Sequence, residues 1–300
     1  MLTEQIICQD GSISTKLDIA IGRLKIFEPP EGYFVAFSGG KDSQCVYHLC
    51  KQAGVKFDAH YSVTTVDPPE LVYFIRKNYP DVTFDVPHDE NGKQITMWRL
   101  IEQNLMPPTR FVRYCCAELK ECSGKDRVTV TGVRWAESVN RRKKQGVVTI
   151  QKKPKSTIKM AEELGLEYTQ NSSQGIVLNL DNDPTRQLVE HCYRNRKVLV
   201  NPIVDWTEDD VWEYLNEIAK VPHCCLYDQG IKRLGCIGCP MGTTKRRKAD
   251  FAHYPQYKKL YLKAFEKMLA NCHTRNPQTD WKTPEEVMSW WLKESEEDSK

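Results

Sequence analysis

The chain has 300 residues, 40% hydrophobic and 28% charged, with a formal net charge of +3. That length buries a substantial core in one large domain or in one domain with an appendage, and the balance is that of a globular chain. A charge of +3 is by itself too small to mark a nucleic-acid partner, no apolar run approaches the roughly 20 residues of a membrane span, and MLTEQIICQDGS lacks the basic-then-apolar pattern of a secretion signal, so no membrane partner is expected and the cytoplasm is the default location.

Ser14–Phe27 reads as an amphipathic helix stopped by Pro29 and Pro30. Tyr33–Phe37 is a buried strand, followed by a helix over Ser43–Ala53 that Gly54 ends. Strands are expected at Phe57–Val63, Val82–Val86 and Arg127–Val133, and helices at Pro69–Asn78 and Ile95–Asn104. Strands alternating with helices predict βαβ units and a mostly parallel sheet. From Arg141 to Gly175 the pattern breaks into a lysine-rich, Gly/Ser-interrupted stretch, read as a mobile insertion. Pattern returns at Ile176–Leu180. Thr207–Ala219 is a helix with Thr207 as N-cap and Asp209 and Asp210 in its first turn. Phe251–Leu269 is expected as one long helix and Pro284–Leu292 as a short last one. The chain thus divides into an N-terminal helix (1–30), an α/β domain (31–240) holding the insertion (141–175), and a helical C-terminal extension (241–300).

The stretch YFVAFSGGKDSQCVYHL sets a strand, a glycine-rich turn and a helix start in a row. Helix N-termini present unpaired N–H groups and a partial positive charge, and glycine lets backbone approach an anion. Together they make an anion cradle, to which Lys41 adds a cation and Ser38 and Ser43 add hydroxyls. The spacing is too short for GxxxxGK[ST]. Ser38, Gly39, Gly40, Lys41, Asp42 and Ser43 instead resemble the PP-loop of adenine-nucleotide alpha hydrolases, which grip the pyrophosphate end of ATP. The alternative is a tight turn with no ligand.

Twelve cysteines are many for a chain without an export signal. Cys45 and Cys50 fit a buried helix face. Cys115–Cys116 in RYCCAELK and Cys236–Cys239 in RLGCIGCP fit thiolate ligation of a [4Fe–4S] cluster, with Zn as the alternative metal. Cys224 and Cys225 in PHCCLYD, or Cys122, are alternates for Cys115.

With these pairs a wider resemblance is on the page. CC, a long gap and GCxxCP are similar to the cluster-binding pattern of iron–sulfur adenylylsulfate reductases. TGVRWAESVNRR, NPIVDWTEDDVWEYL and LYDQGIKRLGCIGCP resemble further segments of that family. Over Tyr33–Pro240 the chain is identified as a member of the phosphoadenosine phosphosulfate (PAPS) reductase family. The resemblance implies an α/β, doubly wound, adenine-nucleotide alpha hydrolase-like fold with a mainly helical C-terminal region. Arg134 and Arg142, inside the family motif, are then expected at nucleotide phosphates. Asp67, following a strand end, is expected at the adenosine or a metal, or as a plain turn cap.

Two departures set the chain apart. The reductases carry a nucleophilic cysteine in an ECGLH-like string near the C-terminus, whereas here the late cysteine is Cys272 in NCHT and the chain ends WWLKESEEDSK. Their PP-loop is usually eroded, and this one is intact. Both point to an ATP pyrophosphatase that uses Lys41, Asp42 and Mg²⁺ to adenylylate a substrate for sulfur transfer, with other proteins of a sulfur-transfer system as partners. A nucleic acid is one expected acceptor. The basic stretches Lys152–Lys155 and Lys245–Lys248 read equally well as solvated surface. The rival readings are a thiol-dependent PAPS or adenylylsulfate reductase and a nucleotide- or cluster-sensing module without turnover.

Overall fold

The structure is a computed structural model that describes residues 1–7, 13–124, 126–137, 147–150, 168–170, 176–178, 198–275 and 281–297. In chain order the first elements are β1 (Gln5–Ile7), β2 (Ile13–Thr15), α1 (Lys16–Ile26), β3 (Tyr33–Ala36), α2 (Lys41–Ala53), β4 (Phe57–Ser62), α3 (Pro69–Asn78), β5 (Thr83–Asp85), α4 (Met97–Asn104) and α5 (Tyr114–Leu119). There follow β6 (Val128–Val130), β7 (Val148–Ile150), β8 (Tyr168–Gln170), β9 (Ile176–Leu178), β10 (Val198–Val200), α6 (Glu208–Glu213), α7 (Thr244–His253), α8 (Pro255–Arg275) and α9 (Pro284–Glu297). The chain divides into two compact units. Met1–Tyr61, Phe74–Thr83 and Gly124–Ile231 make the first, and Ser62–Tyr73, Phe84–Ser123 and Lys232–Lys300 the second.

The sheet runs in the order β5-β4-β3-β6-β10-β7-β9-β8. In the first unit β4, β3, β6 and β10 pair parallel, with Val35 opposite both Ala59 and Val130. Such strands are buried on both faces, so Tyr33, Phe34 and Val35 form a continuous apolar run rather than an alternating one. The expected α/β class and parallel core are therefore observed. Beyond β10 the partners β7, β9 and β8 are antiparallel. Most of the insertion expected over 141–175 lies outside the described residues, and its two described pieces, β7 and β8, are strands of this sheet.

Helix α1 is capped by the Thr15 side chain, which accepts from the Asp18 amide. Leu17, Ala20 and Leu24 make its buried stripe. Arg23 lies in the same stripe and is buried without being stranded. It donates to both carboxylate oxygens of Asp205, at 2.8 and 3.0 Å, and to the Pro202 carbonyl at 2.8 Å. The loop before α6 is thereby fixed. Thr207 and Asp210 then form a reciprocal capping box, as the sequence led one to expect for Thr207. The predicted helix Thr207–Ala219 is an α-helix only to Glu213 and continues as a π-turn over Tyr214–Ile218.

The second unit is helical around one core that includes Met97, Ile101, Cys115, Ile237, Phe265 and Trp291. The C-terminal region is helical as predicted, but the single helix expected at Phe251–Leu269 is two. Thr243 caps α7 by accepting from the Arg246 amide, and Pro255 opens α8 because it has no N–H with which to continue the preceding turn. Arg247, one of the basic Lys245–Lys248 run, is buried. Its guanidinium lies 4.1 Å from the Trp291 ring centroid, and its Nη1 donates to the Trp291 carbonyl at 2.7 Å. The short helix α5 and the strand β10 had no clear signal in the sequence. Among the described residues no helix is long and apolar enough to cross a membrane.

Candidate active site

In the first unit the SGGKDS turn leaves β3 and opens α2. Gly39 has φ +71°, a left-handed conformation that glycine adopts without a Cβ penalty, and Gly40 is the N-cap with no side-chain cap of its own. The turn is closed by its own hydroxyls. Ser43 Oγ accepts from the Ser38 amide at 3.2 Å and donates to the Gly40 carbonyl at 2.8 Å. The Lys41 amide, first of the helix, donates to the Tyr227 hydroxyl at 2.8 Å. Burial raises that phenol well above its ordinary range, so it stays protonated.

Lys41 is buried, with Nζ 3.8 Å from Asp42 Oδ2 and 3.8 Å from Glu208 Oε1. Arg134, also buried, donates from Nε to Asp42 Oδ1 at 2.7 Å. Two cations and two carboxylates thus interleave at one helix N-terminus. The approach of Arg134 depends on Gly132, where a Cβ would lie 2.7 Å from the Asp42 carbonyl carbon and oxygen. Ser38, Gly39, Gly40, Lys41, Asp42, Ser43 and Arg134 are therefore brought together. Arg142 lies outside the described residues.

The second unit holds Cys115, Cys116, Cys236 and Cys239. The first pair sits on the opening turn of α5. The second brackets a tight turn in which the Cys239 amide donates to the Cys236 carbonyl at 3.3 Å, with Gly238 at φ +69°. A Cβ at Gly238 would fall 2.5 Å from the Phe251 ring. The Ile237 amide anchors the turn to the Val66 carbonyl at 2.8 Å. Cys115 hydrogen-bonds Cys116. That bond, then burial, then the charges of Cys116, Cys236 and Cys239 hold the Cys115 thiol far above its usual range, while the same bond lowers Cys116. Burial raises Cys236 to about 11 against the opposing charge of Lys120. The Lys120 ammonium is in turn raised, chiefly by the Cys236 charge, with Asp67 and a hydrogen bond to Cys236 adding to it.

Asp67 belongs with this set. It closes the Thr64–Asp67 turn, accepting from Thr64 Oγ1 at 2.6 Å, and its Oδ1 lies 3.8 Å from Cys236 Sγ. Among the described residues no group of three or more His, Cys, Asp or Glu side chains is arranged around a metal-sized point. The four thiols are near enough to one another that the charges of Cys116, Cys236 and Cys239 all act on Cys115. Of the alternates, Cys224 is buried in the first unit, Cys225 is exposed there, and Cys122 turns back to the Glu118 carbonyl at 3.1 Å. Cys45 and Cys50 are buried, as expected of helix-face apolar residues, and burial pushes Cys50 up to about 12.

The phosphoadenosine phosphosulfate reductase domain family matches residues 32–242. The chain belongs to this family. Among its relatives, an uncharacterized protein of Methanocaldococcus jannaschii is 26% identical over 77% of this chain and 45% of its own length. The adenosine 5'-phosphosulfate reductase of Staphylococcus haemolyticus is 37% identical over 21% of this chain and 26% of its own. The chain thus spans less than half the length of either relative. A solved structure, phosphoadenylyl-sulfate reductase from Candida auris in a phosphate complex, aligns with 74% of this chain and 88% of its own at 15% identity and a TM-score of 0.41.

In this PAPS-reductase-family chain, sequence reasoning missed Tyr227 and Glu208 in the first unit and Lys120 in the second. Each stands inside a stretch quoted for other residues: LYDQG, DWTEDD and CCAELK. Their signal was proximity to a motif, which says nothing of the partner.

Proposed function

We propose that the protein is a PP-loop ATP pyrophosphatase that adenylylates an acceptor for sulfur transfer. The observation that carries this reading is the Lys41 ammonium, 3.8 Å from both Asp42 and Glu208 at the start of α2, with Arg134 on the far oxygen of Asp42. A polyphosphate brings charges that Lys41 and Arg134 neutralise, and a Mg²⁺ ion brings charges that suit Asp42 and Glu208. The acceptor oxygen attacks the α-phosphorus, the α–β bridging bond breaks, and pyrophosphate leaves with its developing charge held by Lys41 and the loop amides. Sulfur then displaces AMP. In the second unit, Cys115, Cys116, Cys236 and Cys239 would hold a [4Fe–4S] cluster, or zinc, which would supply sulfur binding or delivery when bound. Lys120 and Asp67 tune the charge at Cys236. The test is pyrophosphate release from ATP by anaerobically purified protein beside Lys41→Ala. Release that needs Lys41 supports the reading, and its absence with authentic substrates present overturns it.

The second reading is sulfonucleotide reduction, favoured by the adenosine 5'-phosphosulfate reductase likeness over 21% of the chain. It needs a thiol nucleophile, and the late cysteine, Cys272, stands on α8 in a string unlike that of the reductases. Turnover of PAPS or adenylylsulfate with a thiol reductant, without pyrophosphate release from ATP, would establish it.

A further inference from the structure

We infer that the second unit binds a single-stranded polynucleotide across the loops that carry its cysteines. This deepens the reading above by naming the class of acceptor, and it rests on that reading only for the use made of a bound strand.

The loop before α5 reads PPTRFVRYCC. Its Phe111 is 81% exposed, and Val112 beside it is 46% exposed. Arg110 and Arg113 flank them, and the Arg113 charge reaches the Cys116 thiol. The second cysteine loop lies against the first, because Arg110 Nε donates to the Pro240 carbonyl at 3.4 Å. Met241, next in sequence, is 51% exposed. That loop is basic on both sides. Lys232 and Arg233 precede it, Lys245, Arg246 and Lys248 follow, and Arg246 Nη2 donates to the Arg233 carbonyl at 2.8 Å, tying the two ends together.

These two stretches are basic in sequence, while in space the Asp250 carboxylate accepts from the Gly238 amide at 3.1 Å and Asp67 lies 3.8 Å from Cys236 Sγ. No Asp or Glu occurs from Gln103 to Ala117, nor from Gln229 to Ala249. An exposed aromatic ring between arginines, backed by a second basic loop, is what unpaired bases and a phosphate backbone require. The ring stacks on a base, and the cations track the phosphates. A duplex hides its bases from such a ring. An acidic protein would satisfy the cations but gives the ring no flat partner.

The test is fluorescence anisotropy of the full chain with mixed-sequence 20-nucleotide single strands, DNA and RNA, beside the matching duplexes and polyglutamate, all without ATP. Single strands of either sugar should bind in preference to duplex and polyglutamate. Phe111→Ala should weaken binding about 5- to 150-fold and Phe111→Tyr should restore it. Arg113→Ala with Lys245→Ala should flatten the plot of log affinity against log salt by about 1.4. Circular dichroism of Phe111→Ala should match wild type, since the ring is exposed. No binding at low salt, indifference to Phe111→Ala, or equal binding of duplex or polyglutamate would overturn the inference. Because ATP is absent, the outcome is separate from that of the pyrophosphate assay.

Discussion

The amide of Lys41 and the hydroxyl of Tyr227, 186 positions apart in sequence, are joined by a 2.8 Å hydrogen bond at the first turn of α2. A phosphate oxygen seeks that amide, so the phenol holds a place that a nucleotide would take. Tyr227→Phe keeps the ring near Trp212 and removes the bond. The expected result is a loss of about 1 kcal/mol of stability in denaturant unfolding, with no loss of ATP affinity in calorimetry. A fall in affinity of tenfold or more would show instead that the hydroxyl helps hold the ligand.

Gly132 should tolerate no side chain. Its Cβ would press on the Asp42 backbone at 2.7 Å, and relief requires moving α2 or the strand end. Gly132→Ala is expected to destabilise by about 1–3 kcal/mol and to lower pyrophosphate release more than its stability loss explains, because Arg134 moves with it. Activity measured well below the unfolding temperature decides the point.

Gly238→Ala meets both a left-handed φ and the Phe251 ring. Strain and overpacking together should cost more than 2 kcal/mol. The double variant with Phe251→Leu should recover part of this, since only the clash is relieved. Chemical unfolding of the three proteins measures it.

Burial, with Lys51 adding to it, lowers His48 to about 4 from an ordinary value near 6.5. The unfolded chain therefore binds this proton more readily than the folded one. The contribution is fully present above pH 6.5 and is lost as pH falls through 4. Wild type should lose stability over that window relative to His48→Gln, whose curve should be flatter. Denaturant midpoints taken at pH 7, 5.5 and 4.5 provide the check.

What the sequence made legible was local. The SGGKDS turn, the Thr207 cap and the parallel strands each follow from neighbours within a few positions, and each is found. The Tyr227 bond to Lys41 and the Glu208 contact with it join residues far apart in sequence, so no spacing could announce them. For Asp67 the strand end leaves adenosine, a metal and a plain turn cap open, and in the second unit its carboxylate closes the Thr64 turn and lies 3.8 Å from Cys236 Sγ. The helix at Phe251–Leu269 failed on Pro255, which was within the window and outweighed its apolar period.

The second unit is assembled from three separated stretches of chain, and its core needs Trp291, whose indole N–H donates to the Pro108 carbonyl at 2.7 Å. During synthesis Cys115 and Cys116 leave the ribosome about 120 residues ahead of Cys236, roughly 6–24 s at ordinary elongation rates. Trp291 follows later still. For that interval the first two thiols have neither their partners nor their roof. The order of translation therefore delays any meeting of Cys115 and Cys116 with Cys236 and Cys239, and leaves the nascent chain open to oxidants and chaperones at that spot.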